Sequence, residues 1–238
     1  MMGGLCPSLF LPDKRRIMSK IKADDYLTWG AIAKVLHNIL YTYPEAPLID
    51  NFKQEELHIS WPQLVDSEYE KQGRTYLKRY LTNWESTEAQ LIELKVDYGQ
   101  LFFGPSDPKA APWGSVYTGE EQSLNGDSTQ KLMAFYKAHN IEFTLERNEP
   151  IDHIGLILLT LEYLFTQLAA TPEDKNILGT CTLLLQQHLL PWADRCLELA
   201  EQHADSEFYR GIAILSRVYL EHVSQQLGII TQQTKLFR

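Results

Sequence analysis

Between residues 24 and 43 the apolar positions Tyr26, Leu27, Ile32, Val35, Leu36, Ile39 and Leu40 recur three and four apart, which predicts a helix started by Asp24 or Asp25. "YPEAP" ends it. A second, more polar helical region is expected over 61–83. In "STEAQLIELKVDYGQLF" the pattern is plainer: Thr87 and Gln90 have capping-box spacing, and Leu91, Leu94, Tyr98, Leu101 and Phe102 share one face. Further helices are expected in "STQKLMAFYKAHN", capped by Asp127, and over 150–169, opened by Pro150. Thr171-Pro172 opens one that runs through His188, and Pro191 opens one that ends near Ala204. The last is capped by Asp205 or Ser206 and closed by Gly228. No segment sustains the period-two alternation of a half-buried strand. The expected fold class is all-α, a single globular multi-helix domain.

One stretch breaks the pattern. Residues 101–129, "LFFGPSDPKAAPWGSVYTGEEQSLNGDST", carry three prolines and four glycines together with the rings of Phe102, Phe103, Trp113 and Tyr117. Connections of this length are usually functional or disordered. Leaving large rings without packing partners costs apolar hydration, so the rings favour a long ordered loop between Phe103 and Asp127.

Charge and composition narrow the function classes. A net charge of −9 disfavours nucleic acid, which is held by clustered Lys and Arg, and suits a basic partner such as an arginine-bearing peptide. The cysteines Cys6, Cys181 and Cys196 are odd in number and form no CxxC, the usage of a reducing compartment. The most apolar run, "IGLILLTLEYLF", is too short to span a bilayer, so no integral membrane segment is expected. Arg15-Arg16 in "DKRRIMSK" has the look of a twin-arginine export signal, but the charged "SKIKADD" follows where an apolar stretch is required. Residues 1–17 lack helical period and are expected to be a loose extension of a domain spanning 18–238.

Catalytic and metal motifs do not emerge. There is no GxSxG, P-loop or HExxH, and His188, His203 and His222 lie on different expected helices without ligand spacing, so neither cofactor nor metal is expected. The cluster Glu149, Asp152 and His153 in "NEPIDHIG" has two readings. It is either an acidic first turn answering the helix dipole, or a site that tunes a proton or grips a cation. Tyr98, Leu101, Phe102 and Trp113 are singly compatible with core packing. Together with the acidic cluster they describe an apolar concavity rimmed by negative charge, the general form of a peptide-binding groove.

The ordered set "YGQLFFGP", "APWGSVY", "GDST" and "NEPIDH" resembles the TorD/DmsD family of redox-enzyme maturation chaperones, and "HLLPWADRCL", "FYRGIAILSRVYL" and "KLFR" look like its DmsD branch. The resemblance runs from Tyr26 to Arg238. It implies a cytoplasmic, non-enzymatic all-α protein that binds the twin-arginine signal peptide of a molybdoreductase catalytic subunit. For the DmsD branch the client is dimethyl sulfoxide reductase, held back until its cofactor is loaded; the twin-arginine translocase stands as a further candidate partner. Carried over by motif, the leader-binding residues are Tyr41, Tyr98, Leu101, Phe102, Trp113, Pro150, Asp152 and His153. The resemblance further suggests that the leader's apolar segment docks on Leu101, Phe102 and Trp113 while its arginines meet Asp152, Glu149 and Glu120 or Glu121. Tyr98 stands where the family often has Trp, and Ala111-Pro112 where it has a proline pair, which implies a shifted leader preference. Three alternatives stay open: a sister chaperone for a trimethylamine oxide or nitrate reductase, a small hydrolase using Asp152-His153, and a purely structural helical adaptor with no leader preference.

A chain beginning at Met18 is expected to keep the helical content and leader binding of the full chain. Circular dichroism and peptide titration of the shortened chain check this; loss of either would make residues 1–17 part of the domain.

Overall fold

In the computed structural model, residues 21–104, 107–143, 149–231 and 234–238 are described, and the range 1–17 lies outside them. Along the chain run α1 (Ala23–Tyr41), α2 (Ala46–Gln54), α3 (Leu57–Ser60), α4 (Glu68–Asn83), α5 (Glu88–Tyr98), α6 (Gly114–Thr118), α7 (Asp127–Ala138), α8 (Ile154–Ala170), α9 (Lys175–Leu183), α10 (Leu190–His203) and α11 (Glu207–Gln226). Wider π turns occupy Gly99–Phe103 and Leu184–Leu189. Among the described residues the only strand-like pairing is an isolated antiparallel bridge between Trp113 and His153. The chain is all-α.

The most apolar helix, α8, packs along α1 at the centre of the molecule. Their seam is aromatic: Phe165 stacks on Tyr26 at 6.2 Å and meets the edge of Trp29 at 5.6 Å between ring centres. Tyr219 of α11 donates to the Trp29 carbonyl at 3.1 Å, so its buried hydroxyl is satisfied. α4 and α10 flank α11. Burying each such large apolar side chain contributes roughly 1.5–3 kcal/mol.

The boundaries differ from the sequence pattern where side chains cap or tether the backbone. α2 and α3 fill a segment to which the sequence pattern assigned no element; Pro47 falls in the first turn of α2, where its fixed φ suits a helix start. The region expected from 61 becomes helical only at Glu68. Ser67 Oγ accepts from Glu70 N at 3.1 Å, while the buried Glu70 carboxylate turns back to accept from Leu64 N and Val65 N, both at 2.9 Å. α9 starts at Lys175 rather than at Pro172, since Asp174 accepts from Asn176 N at 2.8 Å and Ile177 N at 3.1 Å. α8 starts at Ile154, not Pro150, with His153 as its cap. Ser206 caps α11 as expected, and Gly228 follows it with φ 65°.

The long connection after Phe103 is fastened at many points. Lys109 N and Ala110 N donate to Gln100 O at 2.9 Å and Leu101 O at 2.8 Å, folding the loop back on the end of α5. Tyr117 is fully buried and stacks on Trp192 of α10 at 5.7 Å. Residues 234–238 close over it: Phe237 N donates to Tyr117 O at 2.9 Å, and Arg238 Nη1 pairs with Asp107 at 2.7 Å.

Asp97, buried near the end of α5, accepts from Asp205 N at 3.1 Å and Ser206 N at 2.8 Å, where α11 begins. Asp97→Ala is expected to lower stability by about 2 kcal/mol, because two amides lose a charge-assisted acceptor. Denaturant unfolding of the variant measures this.

Candidate functional site

An isolated antiparallel bridge joins Trp113 and His153: Ile154 N donates to Pro112 O at 2.7 Å and Gly114 N to Asp152 O at 3.2 Å. The bridge falls where α8 begins, after the turn at 151–152. The side chains of Asp152 and His153 leave it in different directions. Trp113 and His153 face one way, their rings edge to face at 5.6 Å. Asp152 faces another, where its Oδ2 accepts from Ser115 N at 2.7 Å at the start of α6.

On the Trp113–His153 side is a cavity of about 270 Å³. Six of the eight expected residues line it: Tyr41, Tyr98, Phe102, Trp113, Pro150 and His153. Tyr41, at the end of α1, meets His153 edge on at 5.1 Å and stacks with His37 at 5.3 Å. That approach requires Gly155, since a Cβ there would stand 2.7 Å from Tyr41 Cβ. Tyr98 donates to Leu40 O at 3.1 Å, which fixes the end of α5 against α1.

The other two expected residues lie elsewhere. Leu101 is fully buried and offers no surface to a ligand. Asp152 is 2% exposed and lines a different cavity, of about 760 Å³, beside Lys131 and His188. Its Oδ1 finds no partner among the described residues. The carboxylate that does line the aromatic cavity is Glu149, whereas Glu120 and Glu121 are exposed and outside its lining. Three lining residues were not assigned from sequence: Tyr43, Phe103 and Leu124. Tyr43 was legible as a ring just past the end of α1, and Phe103 as a ring at the start of the loop; nothing marked Leu124.

His153 is held in one chemical state. Its Nδ1 accepts from Gly155 N at 3.0 Å, so the ring proton sits on Nε2, 4.0 Å from Glu149 Oε1. Burial, with His37 nearby as a smaller contribution, pulls its pKa down to about 3. Glu149 stands at the limit of an ion pair and does not offset that burial. Among the described residues no group of His, Cys, Asp and Glu is placed to hold a metal ion. His188 and His222 are half-buried, beside Phe135 and Trp29. Burial pushes the Cys196 thiol up to about 12 and that of Cys181 well above its ordinary range.

The depressed His153 pKa carries a pH signature. Its stabilisation is fully present above the ordinary value of 6.5 and is lost as pH falls towards about 3, because only the unfolded chain takes up the proton readily. His153→Gln is expected to flatten the stability profile across that window, measured by denaturant unfolding at successive pH values. A shallower slope remains from His37 and His188, whose pKa values burial also lowers.

Comparison with known proteins identifies the family. Residues 65–198 match the family described as the nitrate reductase delta subunit. The Tat proofreading chaperone DmsD of Salmonella typhimurium is 32% identical over 222 residues, covering 92% of this chain and 98% of that protein. A probable Tat proofreading chaperone DmsD of Haemophilus influenzae is 33% identical over 141 residues, 59% of this chain and 65% of that one. The chaperone protein TorD of Aliivibrio salmonicida is 26% identical over 144 residues, 59% and 67% of the two chains. No helix among the described residues is long and apolar enough to cross a membrane. The chain belongs to the TorD/DmsD family of redox-enzyme maturation chaperones.

Proposed function

We propose that this chain is a cytoplasmic chaperone that binds the twin-arginine leader of a molybdenum-containing reductase, the catalytic subunit of dimethyl sulfoxide reductase, and retains the precursor until its cofactor is loaded. The observation that carries the reading is the convergence of residues from segments far apart in sequence on one aromatic cavity, with a single carboxylate among the described residues, Glu149, in its lining. Such a surface takes an apolar peptide segment with a cationic flank. Glu149 meets a leader guanidinium through a charge-assisted contact. Asp152 acts from behind, holding the start of α6 and with it the Trp113 wall. The chain works by binding, and its loop is preorganised by its tethers, which lowers the ordering cost of complex formation.

The geometry gives the hydrolase alternative little to work with. A general base needs a free ring nitrogen within reach of a nucleophile, and His153 Nδ1 is committed to the cap of α8. The described cysteines are both buried. The sister-chaperone alternative differs only in the client, which peptide competition among leaders of the candidate reductases decides.

Wild-type protein is expected to bind a twin-arginine leader more tightly than one with both arginines changed to glutamine. Trp113→Ala should weaken the twin-arginine leader by about 30-fold, about 2 kcal/mol, as loss of an aromatic anchor does. Calorimetric titration with both peptides checks this. Equal affinity for the two leaders overturns the proposal, and turnover of an ester or phosphate that disappears in His153→Ala would replace it with a hydrolase.

A further inference from the structure

We infer that Phe103 and Leu124 form an apolar clamp that grips the hydrophobic segment of the bound peptide and sets how bulky that segment must be. The inference rests on the leader-binding reading of the aromatic cavity and adds residues that the family motifs do not name.

The argument begins with surface area. Apolar binding energy is roughly proportional to the apolar area removed from water, so a side chain already buried has little to give. Leu101 is 0% exposed, Phe102 2% and Tyr98 4%. These motif residues shape the cavity, but a ligand can cover almost none of their surface. Phe103 is 56% exposed and Leu124 47%, and both line the cavity. They are the most exposed apolar residues in the described lining, while Tyr41, Tyr43, Trp113 and Pro150 are half-buried.

Their position follows from backbone geometry. In an unbroken α-helix Phe103, nine residues after Leu94, would stand roughly 180° from the buried face. The π turn over Gly99–Phe103 advances each residue by less than the about 100° of an α step, which brings Phe103 round to the cavity edge. There its ring meets Tyr43 edge on at 5.6 Å. Gly104 N donates to Gly99 O to close the turn, and Gly104 leaves it at φ 59°, ψ 155°, a conformation that needs glycine. Leu124 comes from the connection between α6 and α7, so two independent segments present apolar side chains to one opening.

Charge selects the occupant. Among the described residues the cavity is lined by no Lys or Arg, its one carboxylate is Glu149, and His153 is neutral. That combination fits an apolar peptide segment flanked by a cation, and disfavours an acidic peptide or a phosphate.

The test is calorimetric titration of the full chain and of Phe103→Ala, Leu124→Ala and, as a control, Ile59→Ala. Ile59 is 64% exposed on α3, away from the cavity. With a twin-arginine leader, each clamp variant is expected to bind about tenfold more weakly at unchanged melting temperature, the effect of losing a half-exposed large side chain. The control should match wild type. With a leader whose apolar segment is alanine, both clamp variants should bind like wild type, since the clamp then has nothing to hold. Clamp variants with wild-type affinity for the natural leader would overturn the clamp while leaving the leader-binding reading intact. A drop that persists in full with the alanine leader, or that Ile59→Ala shares, would overturn it too. If the wild-type chain does not distinguish the twin-arginine leader from its glutamine version, the underlying reading falls and the clamp falls with it.

Discussion

The pairing of Pro112–Gly114 with Asp152–Ile154 is the constraint from which the site follows. Two backbone hydrogen bonds and the Asp152–Ser115 contact join a loop after α5 to the start of α8. Without that junction, Trp113 would have no fixed relation to His153. With it, one face of the junction is aromatic and bordered by Glu149, and the other carries the buried Asp152 carboxylate. Asp152 and His153, adjacent in sequence, line different cavities.

Buried carboxylates recur in the same structural role. Glu70 accepts from the amides of Leu64 and Val65, Asp97 from those of Asp205 and Ser206, and Asp152 from that of Ser115. Each accepts from amides at a helix start or in the segment leading into one. A buried amide without a partner costs on the order of 1–3 kcal/mol, so each carboxylate both satisfies its amides and fixes where a helix begins. In this chain, acidic residues at low exposure define helix boundaries, and the exposed ones supply the net negative charge.

The aromatic residues divide in a similar way. Tyr26, Trp29 and Phe165 hold the α1–α8 seam, and Tyr117 with Trp192 holds the loop to α10. Around the cavity, burial grades from Phe102 and Tyr98 inside to Phe103 at the edge. The inner rings give the cavity a rigid shape, and the outer ones keep apolar area available for binding. On the leader-binding proposal, peptide contact removes this exposed apolar surface from water.

Helical periodicity was enough to announce an all-α chain, because an apolar stripe at 3.6-residue spacing has one economical way to be buried. Local signals were also enough for the caps at Thr87 and Ser206, since a capping side chain reaches only its own first turn. The motifs named six of the residues that line the cavity, each lying near a break in periodicity that needs a reason. Tertiary structure decided the rest. It moved the start of α8 from Pro150 to Ile154, where a segment more than 30 residues away in sequence accepts from the Ile154 amide and donates to the Asp152 carbonyl. It turned Asp152 away from the cavity and buried Leu101 completely, although both lie in the same motifs as lining residues. It brought Phe103 to the opening through a π turn and added Leu124, which no pattern marked. Sequence spacing encodes contacts made within a turn or two; which side of a junction a residue faces, and how much of its surface stays open to a ligand, depend on segments that meet only in the folded chain.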